Sequence, residues 1–423
     1  MLPDMLPGVL PDFKKLMSTR FLFNFAVEMQ AVILGWHMYA LTHDPLHLGL
    51  IGLAEAIPAL SLAMIAGTIV DRSRPLFIYK FVLYFSLLSG AVLYVSQSAA
   101  LNLTVPAQVI ALYISSFITG TARGFSQPAM YSIVPRIVPR SDLPKASAWM
   151  GSAMQIARIG GPAVGGLVFG FFGGTSPTAA LVCVLLVVGI ACLHWIKSDP
   201  QPVKRVGPAE PLRKELLSGA KFVFTHRLLL PALSLDMISV LFGGVTALLP
   251  IYAAMILHVG PEGLGLLRAA PAFGAAAVSL WMAKGKVREK AGTWLFSCVF
   301  AFGVCNLVFA LSQNFWLSFG ALLFSGGFDS VSAIVRSAAV QLVSPDHMRG
   351  RISAINAMFI GSSNELGEFE SGLTAKFMGT VPSAVFGAVV SLLTVGTMFV
   401  FAPALRRLNL RELEELETSS AAS

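Results

Sequence analysis

Twelve apolar runs, each long enough to cross a lipid bilayer as a helix, recur along this chain and leave few folds open to it. They fall at about 18–41, 47–70, 76–97, 105–130, 145–171, 177–196, 228–256, 263–284, 291–312, 315–341, 352–377 and 380–403. A spanning helix needs about 20 mostly apolar residues, because lipid offers no partner to a backbone N–H or C=O. Hydrophobic residues make up 55% of the 423 positions and charged ones only 12%. No soluble domain of this size has that composition. The expected fold class is therefore all-α integral membrane, with twelve transmembrane helices.

The formal charge of +8 would suggest a polyanionic partner if it were spread evenly. It is not. Most of the 30 Lys and Arg lie in the leading tail, the even-numbered loops, the central polar stretch and the C-terminal segment. The opposite loops carry almost none, which places both termini in the cytoplasm by the positive-inside rule and argues against nucleic acid. The longest polar stretch, 197–227, divides the chain. The expected organisation is a cytoplasmic tail over 1–17, a six-helix bundle over 18–196, a linker over 197–227, a second six-helix bundle over 228–403, and a tail over 404–423. Within that last tail, 406–417 reads as a charged amphipathic helix. The leading residues lack the pattern of a cleavable signal.

The halves resemble one another. Val138-Pro139-Arg140 precedes the fifth span and Val343-Ser344-Pro345 the eleventh, and aligning the halves on Ala148 and Ala354 sets Arg158 opposite Asn364 and Arg123 opposite Asp329. Parallel six-helix repeats around a site near the bilayer midplane are a transporter plan. Cys183, Cys192, Cys298 and Cys305 all lie in apolar spans, as small buried thiols, and form neither a metal pattern nor a disulfide framework.

Charge inside the spans is where function is to be sought. The eleventh run contains Asn364-Glu365-Leu366-Gly367-Glu368-Phe369-Glu370 near its middle. An ionised carboxylate at that depth costs about 2.5–3.5 kcal/mol on insertion scales, so such groups face water, find cations or hold protons. Glu365 and Glu368 are three apart and share a helix face, and two carboxylates so close favour retaining a proton between them. Glu28 in span one, Asp236 in span seven and Asp329 in span ten are further acids on candidate cavity helices, with Arg336 seven residues after Asp329. Arg123 and Arg158 are the cations expected to serve these acids; a structural ion pair is the alternative for each acid taken singly. Gly243-Gly244 is expected to loosen or break span seven. Glu55 lies nearer the outer surface. His37 and His43 flank the first external loop, and Trp36, Trp195, Trp281 and Trp316 sit near span ends as interfacial anchors. Phe242, Phe273 and Phe328 lie near the charged positions, as core or as lining for a greasy cavity.

Spans two and three are joined by Gly67-Thr68-Ile69-Val70-Asp71-Arg72-Ser73-Arg74. This resembles the loop motif of the major facilitator superfamily, in motif, loop number and cytoplasmic side. The resemblance implies two pseudo-symmetric six-helix bundles and a cytoplasmic gate formed by Gly67, Asp71, Arg72 and Arg74; Gly67 is expected to let helices approach closely. The equivalent loop after span eight, at Lys284-Gly285-Lys286-Val287-Arg288, keeps the positive charge but not the Asp. Span five contains Gly160-Gly161-Pro162-Ala163-Val164-Gly165-Gly166, similar to the superfamily's antiporter motif, with Ala148 and Ala157 where Gly is usual. Gly161, Pro162, Gly165 and Gly166 then form a sealing or pivoting segment, with ordinary helix packing as the alternative.

Two longer stretches, 128–166 and 349–372, resemble the drug:proton antiporter branch that includes macrolide-efflux proteins and the enterobactin exporter. That resemblance implies a monomeric carrier in the bacterial inner membrane, moving an amphipathic drug or siderophore-like metabolite outward against protons. An importer or a metal-ion exporter, with Asn364 and the three Glu as ligands to a hard cation, is the competing expectation. The sequence contains no P-loop, zinc motif or Ser/His/Asp arrangement, so neither an enzyme nor an ATP-driven pump is expected, and no cofactor or resident metal.

Overall fold

The computed structural model describes residues 11–97, 101–197, 212–282, 289–345 and 348–412. Every regular element among them is helical. Proline and capping residues set where the helices begin. Pro11–Thr42 (α1) is followed by Pro45–Arg72 (α2), where Pro45 opens the helix and the Asp44 carboxylate accepts from Leu46 N at 3.0 Å. Pro75–Ser96 (α3), Val105–Ile137 (α4) and Leu143–Phe172 (α5) also carry Pro in their first turns. Gly173 closes α5 at φ 69, a left-handed cap that a side chain would strain. Thr175–His194 (α6) completes the first set.

The second set begins with Leu212–Thr225 (α7), a helix inside the stretch expected to be only a polar linker. Its Val223 is buried against Leu229, Leu233, Val340, Ile352 and Ile355. Then come Leu229–Gly243 (α8), Leu249–Ile251 (α9) with a π turn over Tyr252–Ile256, Pro261–Met282 (α10) and Ala291–Leu311 (α11). Phe315–Val343 (α12), capped by Asn314 at Leu317 N, Arg349–Met378 (α13), Thr380–Phe401 (α14) and Pro403–Arg406 (α15) finish the chain. Of the amphipathic helix expected over 406–417, residues 410–412 are helical after a break at 407–409, and Leu405, Leu408 and Leu410 are buried in the α11–α12 core. Gly292 N donates to Leu408 O at 3.0 Å and fastens it there. Residues 413–423 lie outside the described part.

Ten segments among the described residues are long and apolar enough to cross a membrane. The two long helices missing from that set are α1 and α13, of 32 and 30 residues. At about 1.5 Å rise per residue either exceeds the bilayer core. Each carries polar or charged residues within its length: Asn24, Glu28, Gln30 and His37 in α1, and Glu365, Glu368 and Glu370 in α13. The chain is an all-α, multi-pass membrane protein.

Contacts divide it into two units, Met1–Arg205 with His258–Ala269, and Val206–Leu257 with Ala270–Ser423. In the first, α1 packs on α5 and α6, and α4 packs on α2 and α3. The α2–α4 approach depends on Gly120, where an added Cβ would stand 2.1 Å from Glu55 O. In the second, α8 packs on α13 and α14, and α11 on α12 and α14.

Candidate functional site

In the second unit, the acids sit around a broken helix. α8 ends at Gly243, Gly244 is extended, and a 3-10 turn over Thr246–Leu248 precedes α9. The break frees backbone carbonyls, which in an apolar medium must find donors. Side chains from two other helices supply them. Asn306 Nδ2 of α11 donates to Gly243 O at 2.9 Å, and Ser371 Oγ of α13 donates to Gly244 O at 2.8 Å. One turn inside α8, Ser391 Oγ of α14 adds a further bond, to Ser239 O at 2.8 Å. The glycine pair made the break legible in the sequence; the capping Asn306, Ser371 and Ser391 carried no signal, since an isolated polar residue in a span has no visible partner.

Gly367 of α13 lies against the same end of α8, where an added Cβ would come within 2.7 Å of Leu241 O. With Ser371 one turn on, this pins one face of α13 to the break. At about 100° per residue, Glu365 and Glu368 project together and Glu370 projects on another side. All three are partly buried. Asn364, expected beside them as a ligand, is exposed and donates to Ile360 O of its own helix at 2.8 Å.

Asp236 and Arg336 form an ion pair between α8 and α12, and both are buried, at 6% and 3% exposure. Asp329, earlier on α12, is partly buried; its neighbour Ser330 bonds Ser279 Oγ at 2.9 Å.

In the first unit, Arg123 of α4 pairs with Glu55 of α2. This couples a cation expected to serve the cavity acids to an acid expected only at the outer mouth. Glu28 of α1 is half-buried beside α5, where a Cβ on Gly161 would lie 2.7 Å from Glu28 Cβ. Gly165 meets Met29 Cα at 3.1 Å in the same sense, and Pro162 is buried between them. A Cβ on Gly166 would come within 2.4 Å of Pro261 O. The antiporter-like segment is thus a surface of near-contact backbone. Arg158, one turn before it, is exposed and has no ion-pair partner among the described residues.

Sequence reasoning passed over Arg20, whose Nη2 donates to Gln127 Oε1 at 2.8 Å. It also passed over Gln30, 2% exposed, which joins Ser89, Ser115 and Thr119 in a buried hydrogen-bond cluster linking α1, α3 and α4. At the gate motif, α2 ends at Arg72 and Arg74 is exposed at the start of α3. The side chains of Asp71 and Arg72 lie outside the described residues. A Cβ on Gly67 would meet nothing within 4 Å, so the close helix approach expected there is not made by the described residues.

Residues 9–422 match the family model described as transmembrane secretion effector. The chain belongs to this family. Its relatives include the staphyloferrin A transporter of Staphylococcus aureus (strain NCTC 8325 / PS 47), 23% identical, with 95% of this chain and 98% of that one aligned. The enterobactin exporter EntS of Shigella dysenteriae serotype 1 (strain Sd197) is 23% identical over 82% of this chain and 80% of its own. Among solved structures, a POT family transporter in complex with 5-aminolevulinic acid superposes with a TM-score of 0.75 at 12% identity, covering 93% of this chain and 96% of that chain. The fold is that of the major facilitator superfamily, and the family's members are transporters.

Proposed function

We propose that this family member is a proton-coupled exporter of an amphipathic organic compound, a drug or a siderophore-like metabolite. It works as a monomer by alternating access in the bacterial inner membrane, with both termini cytoplasmic. Its halves are the bundles 18–196 and 228–403, joined by 197–227. Siderophore transport in the named relatives supports the choice of cargo. The observation that carries the reading is α13, a 30-residue helix of spanning length that keeps Glu365, Glu368 and Glu370 within it. At about 2.5–3.5 kcal/mol per ionised group, such residues persist where they take up and release protons or meet a cargo. Because Gly367 and Ser371 tie α13 to the broken end of α8, a change of charge on α13 acts next to a segment able to re-form. A proton on Glu365 or Glu368 removes repulsion between them and shifts the balance of the two access states. About 1.4 kcal/mol of bias changes their ratio tenfold.

In this reading Asp236 and Arg336 brace α8 against α12. Glu28, Asp329, Arg123, Arg158 and Asn364 border the path of cargo and protons. Gly67, Asp71, Arg72 and Arg74 close the cytoplasmic end, and Gly161, Pro162, Gly165 and Gly166 the opposite one. Carriage of a metal ion has less support: Glu370 leaves the side shared by Glu365 and Glu368, and no group of three or more His, Cys, Asp or Glu among the described residues is arranged to hold a metal. The test is export from proteoliposomes under an imposed pH gradient. Glu365→Gln and Glu368→Gln each abolish gradient-driven export while the protein stays folded; wild-type rates from both would refute the reading.

A further inference from the structure

Three helices of the first unit place permanent positive charge within about one turn of one another. Arg20, Asn24 and Glu28 form a stripe at spacing four on α1, Arg123, Gln127 and Tyr131 another on α4, and Met150, Met154 and Arg158 a third on α5. Arg20 joins the three: its Nη2 lies 2.8 Å from Gln127 Oε1 and 4.0 Å from Met154 Sδ. The α1–α5 register fixes Arg158. Gly160 meets Phe25 and Gly161 meets Glu28, so Arg158 stands level with Asn24, about one turn along α1 from Arg20. Arg158 is also about 22 Å along α5 from Leu143, near the middle of the span.

A carboxylate at membrane depth escapes its cost by taking a proton, but a guanidinium keeps its charge. Arg123 is met by Glu55. Arg20 hydrogen-bonds a neutral amide, and Arg158 is exposed without an ion-pair partner among the described residues. Two such cations, Arg20 in the first third of α1 and Arg158 near the middle of α5, are the natural counterpart of an anion. Their planar forks suit paired acidic oxygens. Tyr131, 75% exposed one turn beyond Gln127, adds an aromatic face, and the Met154 thioether adds an apolar one.

We infer that the first unit carries a binding site for an amphipathic organic acid, with Arg20 and Arg158 taking its acidic oxygens and Tyr131 its apolar body. This deepens the export reading by naming the charge of the cargo, and it rests on that reading only for the direction of movement. Glu28, on the α1 stripe beside Arg158, competes with the acid for that cation.

The test uses the purified full chain in nanodiscs with no gradient, so that it is independent of proton-driven export. Two probes are titrated by fluorescence: dansyl-glutamate, a dianion, and dansyl-cadaverine, a cation of similar size. The dianion binds more tightly. Arg20→Gln and Arg158→Gln each weaken it about tenfold, the scale of one charge-assisted hydrogen bond, and leave the cation's affinity unchanged. Arg158→Lys retains part of the affinity, and Glu28→Gln increases it. Equal affinity for both probes, no dianion binding, or unaltered dianion binding by both Gln variants overturns the inference. Loss of dianion binding when phosphatidylglycerol replaces zwitterionic lipid overturns it too, since the site then belongs to lipid headgroups. If any of these holds while export still depends on Glu365 and Glu368, only the cargo's charge has been misassigned.

Discussion

Arg336→Met isolates what the buried Asp236–Arg336 pair does for the fold. Both partners are nearly sealed, at 3% and 6% exposure, so removing the arginine strands a carboxylate with no water to solvate it. Breaking one side of a buried pair costs about 3–5 kcal/mol, whereas replacing both sides by apolar groups of similar volume is roughly neutral or better. At about 1.4 kcal/mol per decade, the single variant loses on the order of 10²–10⁴ in its folded-to-unfolded ratio. Asp236→Leu combined with Arg336→Met recovers most of that loss. The assay is a double-mutant cycle on reversible unfolding in mixed micelles, followed by tryptophan fluorescence. A coupling energy of at least about 3 kcal/mol is expected. If Arg336→Met is as stable as wild type, or if the two losses simply add, the pair is not the brace described here.

Two further tests reach other parts of the fold. Gly120→Leu places a Cβ 2.1 Å from Glu55 O and forces α2 from α4, with an expected loss of about 1–3 kcal/mol in the same assay, while Gly67→Ala changes stability by less than about 0.5 kcal/mol. His226, outside the spans, accepts from Leu228 N and Leu229 N through its Nδ1, which requires the neutral ring, and burial lowers its pKa from 6.5. Its contribution is intact above 6.5 and declines as the pH falls from 6.5 toward the lowered folded value, because the unfolded chain takes the proton first. Stability measured between pH 7 and pH 5 should show that decline in wild type and a smaller one in His226→Ala.

Much of the fold was readable because lipid imposes a single rule on every span. Apolar run length gave the helices, and the adjacent Gly243 and Gly244 gave the break in α8. Elements whose burial depends on distant partners were hidden. The α7 helix looks like linker until Ile352 and Val340 supply the surface that covers Val223. In the tail after α14, the charged amphipathic pattern does not reveal that Leu408 and Leu410 enter the α11–α12 core. Among the charges, depth was legible but pairing was not. Asp236 with Arg336 and Glu55 with Arg123 are joined by helix crossings between residues 100 and 68 positions apart. The side on which Glu370 projects was available from helical periodicity alone. Arg20 stayed obscure because it sits close to the basic end of the tail, where a charge is expected without any special role.

Counter-transport is the readout for export driven by protons exchanged on Glu365 and Glu368 of α13. In proteoliposomes containing a pH-sensitive dye, addition of cargo outside should draw protons out of the lumen and raise its pH with wild-type protein. This signal should disappear in the Glu365→Gln, Glu368→Gln double variant while cargo binding persists. Proton movement of wild-type size from that variant would contradict proton exchange at these residues.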